Sequence, residues 1–192
     1  SGAAAEAVSM LEGASKPLVV AGLSVLREGA WDALASLAAR IPSPVALTPG
    51  ALSALAGDDN DYIGVLGHPA LESLPGALDE ADLLLMVGTV IGEQEEVAGM
   101  VDRSHAKIIQ TSPEPELLGS LGPVDAVLAG DAVSIARGLE KGMSGESSER
   151  AGWVKSCREN FERDLESVRA DARGKSAGAA VNALGEALHG QD

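Results

Sequence analysis

Apolar residues in this chain fall into short unbroken runs separated by stretches of helical period. Pro17-Leu18-Val19-Val20-Ala21-Gly22 is one such run, and it ends in glycine, the pattern of a strand buried on both faces. Residues 44–48, 63–66, 82–87, 106–111 and 124–129 repeat it. The clearest is 82–87, with five apolar residues between Asp82 and Gly88. Between the runs, residues 3–13 are Ala-rich with Val8 and Leu11 at helical spacing. Residues 30–41 place Trp31, Leu34, Leu37, Ala38 and Ile41 on one helical face, and 69–80 do so with Leu71, Leu74 and Leu78. Asp131 stands where an N-cap belongs, ahead of a helix over 132–141. Alternating strands and helices with wholly apolar strands predict an α/β fold: a doubly wound, mostly parallel six-stranded sheet with helices on both faces and right-handed crossovers.

The rhythm changes near the end of the chain. Gly142-Met143-Ser144-Gly145-Glu146-Ser147-Ser148 reads as a flexible linker, dividing an α/β body over 1–143 from a linker and helical connector over 144–192. In 149–173, Val154, Cys157, Phe161, Leu165, Val168 and Ala172 make a narrow apolar stripe, with Lys155–Glu159 and Glu159–Arg163 as i,i+4 pairs on the solvated side. That stripe requires a partner, either the body or something outside these residues. A last helix is predicted over 176–188, with little of its own to bury, and the chain then stops before a further core is reached.

Composition narrows the function classes. The 192 residues carry a formal net charge of −15, which argues against nucleic acid because the phosphates would be repelled. Most of the excess lies in the body: residues 1–148 hold 21 acids and 7 bases, while 149–175 hold 6 and 7. Aromatics are 2 % of the chain, so the core must be aliphatic. Its single cysteine, Cys157, excludes an internal disulfide and a multi-cysteine metal site. With no apolar run of membrane length and no basic, signal-like start, the expectation is a soluble cytoplasmic protein.

In open parallel sheets ligands sit beyond the C-terminal ends of the strands. Those ends are Ala21-Gly22-Leu23-Ser24, Thr48-Pro49-Gly50, Leu66-Gly67-His68-Pro69, Val87-Gly88-Thr89 and Thr111-Ser112-Pro113. Their glycines and small hydroxyls would let phosphates approach the backbone, so Gly22, Leu23, Ser24, Thr48, Gly67, His68, Gly88, Thr89 and Ser112 are the candidate cofactor-binding residues. Each glycine serves equally well as a tight strand terminator. Neither a G-x-G-x-x-G fingerprint nor a Walker loop is present. Catalytic groups are sparse. His68, His105 and His189 lack metal spacing, Glu93, Glu95 and Glu96 read as a solvated loop, and Cys157 lies in the packing stripe. No catalytic residue is predicted in this chain, and no metal site.

The order of the segments resembles the central domain of thiamine-diphosphate-dependent enzymes of the acetolactate synthase family, over about residues 3–143. Lys16-Pro17-Leu18-Val19-Val20-Ala21-Gly22 is similar to the family's "krPvivaG" strand, and Pro44-Val45-Ala46-Leu47-Thr48 to "PVxtT". Gly29-Ala30-Trp31-Asp32-Ala33-Leu34 resembles the helix after the first of these strands, and Gly64-Val65-Leu66-Gly67-His68 the "GmlGxhG" loop. Ala81 to Gly88 resembles "aDlvlxvG", Lys107 to Pro113 "kiihiDiDp", and Ala129-Gly130-Asp131-Ala132 "xGDa".

The resemblance implies that catalysis belongs to flanking domains, one binding the pyrimidine and one the diphosphate of thiamine diphosphate with magnesium, in a homo-oligomeric parent acting on 2-oxo acids. This chain would be its middle domain, with 149–173 resembling the connector onward, and would bind neither thiamine diphosphate nor magnesium itself. It also implies that FAD or ADP occupies the strand ends in some members. Two departures weigh against FAD here. Gly88-Thr89-Val90-Ile91-Gly92-Glu93-Gln94-Glu95-Glu96 lacks the arginine of the family's "GaRfddR" segment and is acidic, and the "iDiD" aspartate is replaced around Thr111-Ser112. Acids within about a Debye length (roughly 8 Å) of a diphosphate oppose its binding. The competing readings are a free-standing flavin- or nucleotide-binding module, a segment of a molybdopterin oxidoreductase, and a structural domain without ligand.

Overall fold

Leu18, Val19, Val20 and Ala21 are buried without alternation, so strand β1 (Pro17–Ala21) must be covered on both faces and paired along both edges. The computed structural model describes residues 2–54, 61–66, 73–89, 106–119, 123–144 and 149–173. It places β1 at the centre of a six-stranded sheet with β2 (Val45–Leu47), β3 (Tyr62–Val65), β4 (Leu83–Val87), β5 (Lys107–Ser112) and β6 (Ala126–Ala129). The strand order is β3-β2-β1-β4-β5-β6, and every neighbouring pair is parallel.

The register sorts the apolar residues by face. Val19, Leu85 and Ile109 stand opposite one another, as do Leu18, Leu84 and Ile108. The first set packs under α1 (Gly2–Gly13), α3 (Trp31–Arg40) and α5 (Ala132–Gly142), where Leu11, Leu34, Leu37 and Leu139 are buried. The second packs under α4 (Ser73–Glu80) and α6 (Glu149–Arg173), with Leu74, Leu78, Trp153 and Phe161. The doubly wound prediction therefore holds, and both faces are covered.

Carboxylates set the strand starts. Asp82 accepts from the amides of Ser15 (2.7 Å) and Lys16 (2.9 Å), fixing the entry of β1 beside that of β4. Asp125 accepts from the Ile108 amide at 2.8 Å and does the same between β6 and β5.

Three short elements escape the sequence pattern: α2 (Leu23–Arg27) and the tight turns Pro49–Ala54 and Pro115–Leu117. Each is too short to display a period. The predicted helix over 176–188 and the linker residues 145–148 lie outside the described residues.

The stripe on α6 meets the body over its first half. Trp153, Cys157 and Phe161 are buried, whereas Val168 is 52 % exposed. Cys157 and Phe161 of the predicted stripe are buried, but near its start Trp153 takes the buried place and Val154 is half-buried. Phe161 meets Tyr62 edge-on, ring centroids 5.3 Å apart, and Lys155 and Glu159 pair at 3.8 Å.

Leu85 faces Val19 and Ile109 at the sheet centre, so Leu85→Ala should cost about 3 kcal/mol, read as a lower urea midpoint with unchanged slope. Gly138 lies inside α5 with open space where a Cβ would stand. Gly138→Ala should raise the same midpoint by an amount equivalent to about 0.5–1 kcal/mol.

Candidate functional site

The strand order reverses between β1 and β4, and there the C-terminal ends of the strands bring Gly22, Leu23, Ser24, Gly88 and Thr89 together. The contact is unusually close. A Cβ on Gly22 would lie 2.3 Å from the Gly88 carbonyl oxygen and 2.6 Å from Thr89 Cα. Gly88 has φ of +60°, a left-handed conformation suited to glycine, and a Cβ there would lie 2.6 Å from Ser24 Cβ. The ladder continues past the strands: the Gly22 amide donates to the Val87 carbonyl (2.8 Å) and the Ser24 amide to the Gly88 carbonyl (3.2 Å). The two loops form a closed seam across the switch point.

Around the seam the candidate residues serve the backbone. Thr48 follows β2 and its amide donates to the Ala21 carbonyl (2.9 Å); its own carbonyl accepts from Ala51 (2.9 Å). Gly50 lies against Leu23. Thr111 Oγ1 accepts from the Gly88 amide at 3.1 Å, and Ser112 Oγ accepts from the Glu114 amide at 3.1 Å. Ser112 sits on β5, one strand beyond β4, and joins the seam only through this shared edge. Gly67 and His68 lie outside the described residues, as do Glu93, Glu95, Glu96, His105 and His189.

Helix N-termini near these ends already hold internal partners. In α2, the Ser24 amide is bound by Gly88 and the Val25 amide by the Gly22 carbonyl (3.0 Å). In α5, Glu28 Oε2 accepts from the Ala132 amide (2.5 Å) and Asp131 Oδ1 from the Ser134 amide (2.7 Å). The second bond is the predicted N-cap. The Ser134 amide and hydroxyl hold the Asp131 carboxyl below its ordinary range. A diphosphate would have to displace two carboxylates at α5 or a carbonyl at α2, so the described residues do not fit a diphosphate at either terminus.

One polar side chain at this end escapes the sequence reading. Gln110 is 1 % exposed within an apolar strand; its Nε2 donates to the Thr89 carbonyl (3.3 Å) and its Oε1 accepts from the Gly119 amide (2.8 Å). It thus ties the β4 end to the loop after β5. The signal was present: one amide in the run Ile108-Ile109-Gln110. Thr89, a predicted site residue, is equally buried, and its Oγ1 has no hydrogen-bond partner among the described residues.

Away from this end, burial chiefly, and Glu80 secondarily, push the Cys157 thiol up to about 12. A nucleophilic cysteine requires the opposite shift, so Cys157 is a packing residue as its place in the stripe suggested. Among the described residues no group of three or more His, Cys, Asp and Glu side chains could hold a metal ion, and no helix is long and apolar enough to cross a membrane.

An open parallel sheet of this order, with glycines at its switch point, defines the doubly wound class of nucleotide-binding type. Within it, the pattern of the family described as "Thiamine pyrophosphate enzyme, central domain" matches residues 4–139. The chain belongs to that family, as its central domain. It is 30 % identical over 154 residues to an acetolactate synthase large subunit of Corynebacterium glutamicum, covering 78 % of this chain and 24 % of that protein. It is 31 % identical over 135 residues to a sulfoacetaldehyde acetyltransferase of Roseovarius nubinhibens, covering 69 % of this chain and 22 % of that protein. An acetolactate synthase isozyme 2 large subunit of Escherichia coli matches at 28 % over 154 residues, 79 % of this chain and 27 % of that protein. The chain thus spans about a quarter of the length of these relatives.

Gly22→Ala should destabilise the fold by about 3 kcal/mol, because the obstacle is backbone and cannot swing aside. Asp131→Ala should lower the thermal midpoint in a pH-dependent way. The folded carboxyl lies below its unfolded value, so its contribution is complete above the ordinary carboxylate range and disappears as pH falls through the depressed folded value. Melting curves at pH 7 should separate the two proteins, and curves at strongly acidic pH should converge.

Proposed function

We propose that this chain is the middle domain of an acetolactate-synthase-like thiamine-diphosphate enzyme acting on 2-oxo acids, and that within it the domain braces the subunit and supplies no catalytic group. In this reading residues 1–143 are the domain proper and 144–192 the linker and connector towards a diphosphate-binding domain. The pyrimidine-binding domain lies on the other side. Thiamine diphosphate and magnesium are held by those flanking domains, the parent is a cytoplasmic homo-oligomer, and the cofactor supplies the carbanion chemistry when bound.

The observation that supports the bracing role is the Gly22–Gly88 seam, where the two switch-point loops are bonded to each other at the place a nucleotide would approach in this class of sheet. The acids already seated at the N-terminus of α5 act in the same direction. Relatives with different printed activities, an acetolactate synthase and a sulfoacetaldehyde acetyltransferase, both match this segment. A segment common to both is better suited to support than to substrate choice.

One observation favours a second reading, in which FAD or ADP is bound at Gly22, Leu23, Ser24, Thr48, Gly67, His68, Gly88, Thr89 and Ser112. The buried Thr89 Oγ1 has no partner among the described residues, and a ribityl or ribose hydroxyl would supply one.

The absorbance spectrum of freshly purified protein, with mass spectrometry of whatever acid denaturation releases, separates the two. The expected result is a colourless protein releasing no nucleotide. Near-stoichiometric flavin or ADP would replace the bracing role with the second reading.

A further inference from the structure

Helix α6 is fastened to the body at two points of opposite chemistry. Near its start, Arg150 donates from Nε to the Ala14 carbonyl and from Nη2 to the carbonyls of Leu11 and Glu12, each at 2.9 Å. These oxygens lie at the C-terminal end of α1, where carbonyls have no intrahelical partner and the helix dipole favours a cation. Further along, Asp164 Oδ2 accepts from the Ser73 amide at 2.6 Å. Ser73 opens α4, where amides are the orphans and the dipole favours an anion. A single helix thus presents a cation to one helix end and an anion to another.

The fastenings share one face. Arg150, Trp153, Cys157, Phe161 and Asp164 are spaced 3, 4, 4 and 3 along α6, just under four turns and about 21 Å. Between the ends, Trp153 Nε1 donates to the Pro17 carbonyl (2.9 Å) and Arg158 Nη1 to the Tyr62 carbonyl (2.7 Å). The segments so joined, the α1–β1 junction and the start of α4, are remote in sequence.

We propose that α6 is a two-point strap, docking and undocking as one rigid unit, so that the ties at Arg150 and Asp164 contribute to a single opening equilibrium separate from unfolding of the sheet. Undocking at either end then frees the whole helix, and the chain beyond it reports the position of α4.

Cys157 lies between the two ties, 4 % exposed, and is the only cysteine, so its reaction with 5,5′-dithiobis(2-nitrobenzoate) at pH 8 reads undocking directly. Burial keeps the thiol protonated while α6 is docked, and the thiolate is the reacting form. In the 192-residue chain, labelling should run far faster than global unfolding allows, as judged from hydrogen exchange of the β4 amides. Asp164→Ala and Arg150→Leu should each speed labelling about tenfold or more, and the double variant by about the product.

Asp164→Ala labelled at the wild-type rate would show two independent ends and overturn the strap. So would a wild-type rate equal to the one set by β4 exchange. Should either variant fail to fold, amide exchange along α6 of the unaltered protein decides: one common opening constant from residue 150 to 164 supports the strap, and a graded series overturns it.

Discussion

Everything in this domain is arranged around the pairing of β1 with β4. Both strands are buried on both faces, so their backbone groups find partners only sideways, and the five-residue ladder from Pro17–Leu83 to Ala21–Val87 runs without a shift. Because side chains alternate along each strand, this register decides which residues lie under α1, α3 and α5 and which under α4 and α6. It also runs on beyond the strands. Gly22 continues the ladder onto Val87, and only residues without side chains can follow at that separation. The two loops at the switch point are therefore held together by the same ladder that holds the sheet.

A second consequence concerns the charge. A chain at −15 has anions to place, and several stand on orphan amides rather than in a site. Asp82 binds two amides at the start of β1, Asp125 one at β5, and Glu28 and Asp131 bind the first turn of α5. Three of these, Asp82, Asp125 and Asp131, precede an apolar run or a helix in sequence, as caps and strand starts should. Two of them, Asp82 and Asp131, are the acidic letters of motifs that carry the family resemblance. Those motifs mark how the sheet is closed.

This distinction governs what could be read from the sequence. The six strands were visible because parallel strands are uninterrupted apolar runs, and α1, α3 and α5 because their period is long enough to count. Five-residue α2 gives no period. At the site, Gly22 and Gly88 were legible as strand terminators, but their mutual contact joins segments far apart in the chain, and no local pattern records it. On α6 an apolar stripe alone leaves out charged members of the docked face. The true face includes Arg150 and Asp164, whose charges are placed against helix ends rather than solvent. A buried polar residue is invisible to hydrophobic patterning until its partner is known, and Gln110 makes the same point inside a strand.

The aromatic residues separate the two modes of cohesion. Of the four in the chain, Trp153 and Phe161 belong to the cluster beneath α6 and Tyr62 packs against both clusters, whereas the buried residues of the first face are almost all Ala, Val, Leu and Ile, with Trp31 packed at its margin. Many small contacts, each modest, hold the first face, and removing one leaves the rest in place. The seat of α6 relies on few and large contacts, with two aromatic rings meeting edge-on and one indole nitrogen bound to a carbonyl. An interface concentrated in that way is lost as a whole or kept as a whole. The helix is thus both firmly seated and distinct from the sheet it covers.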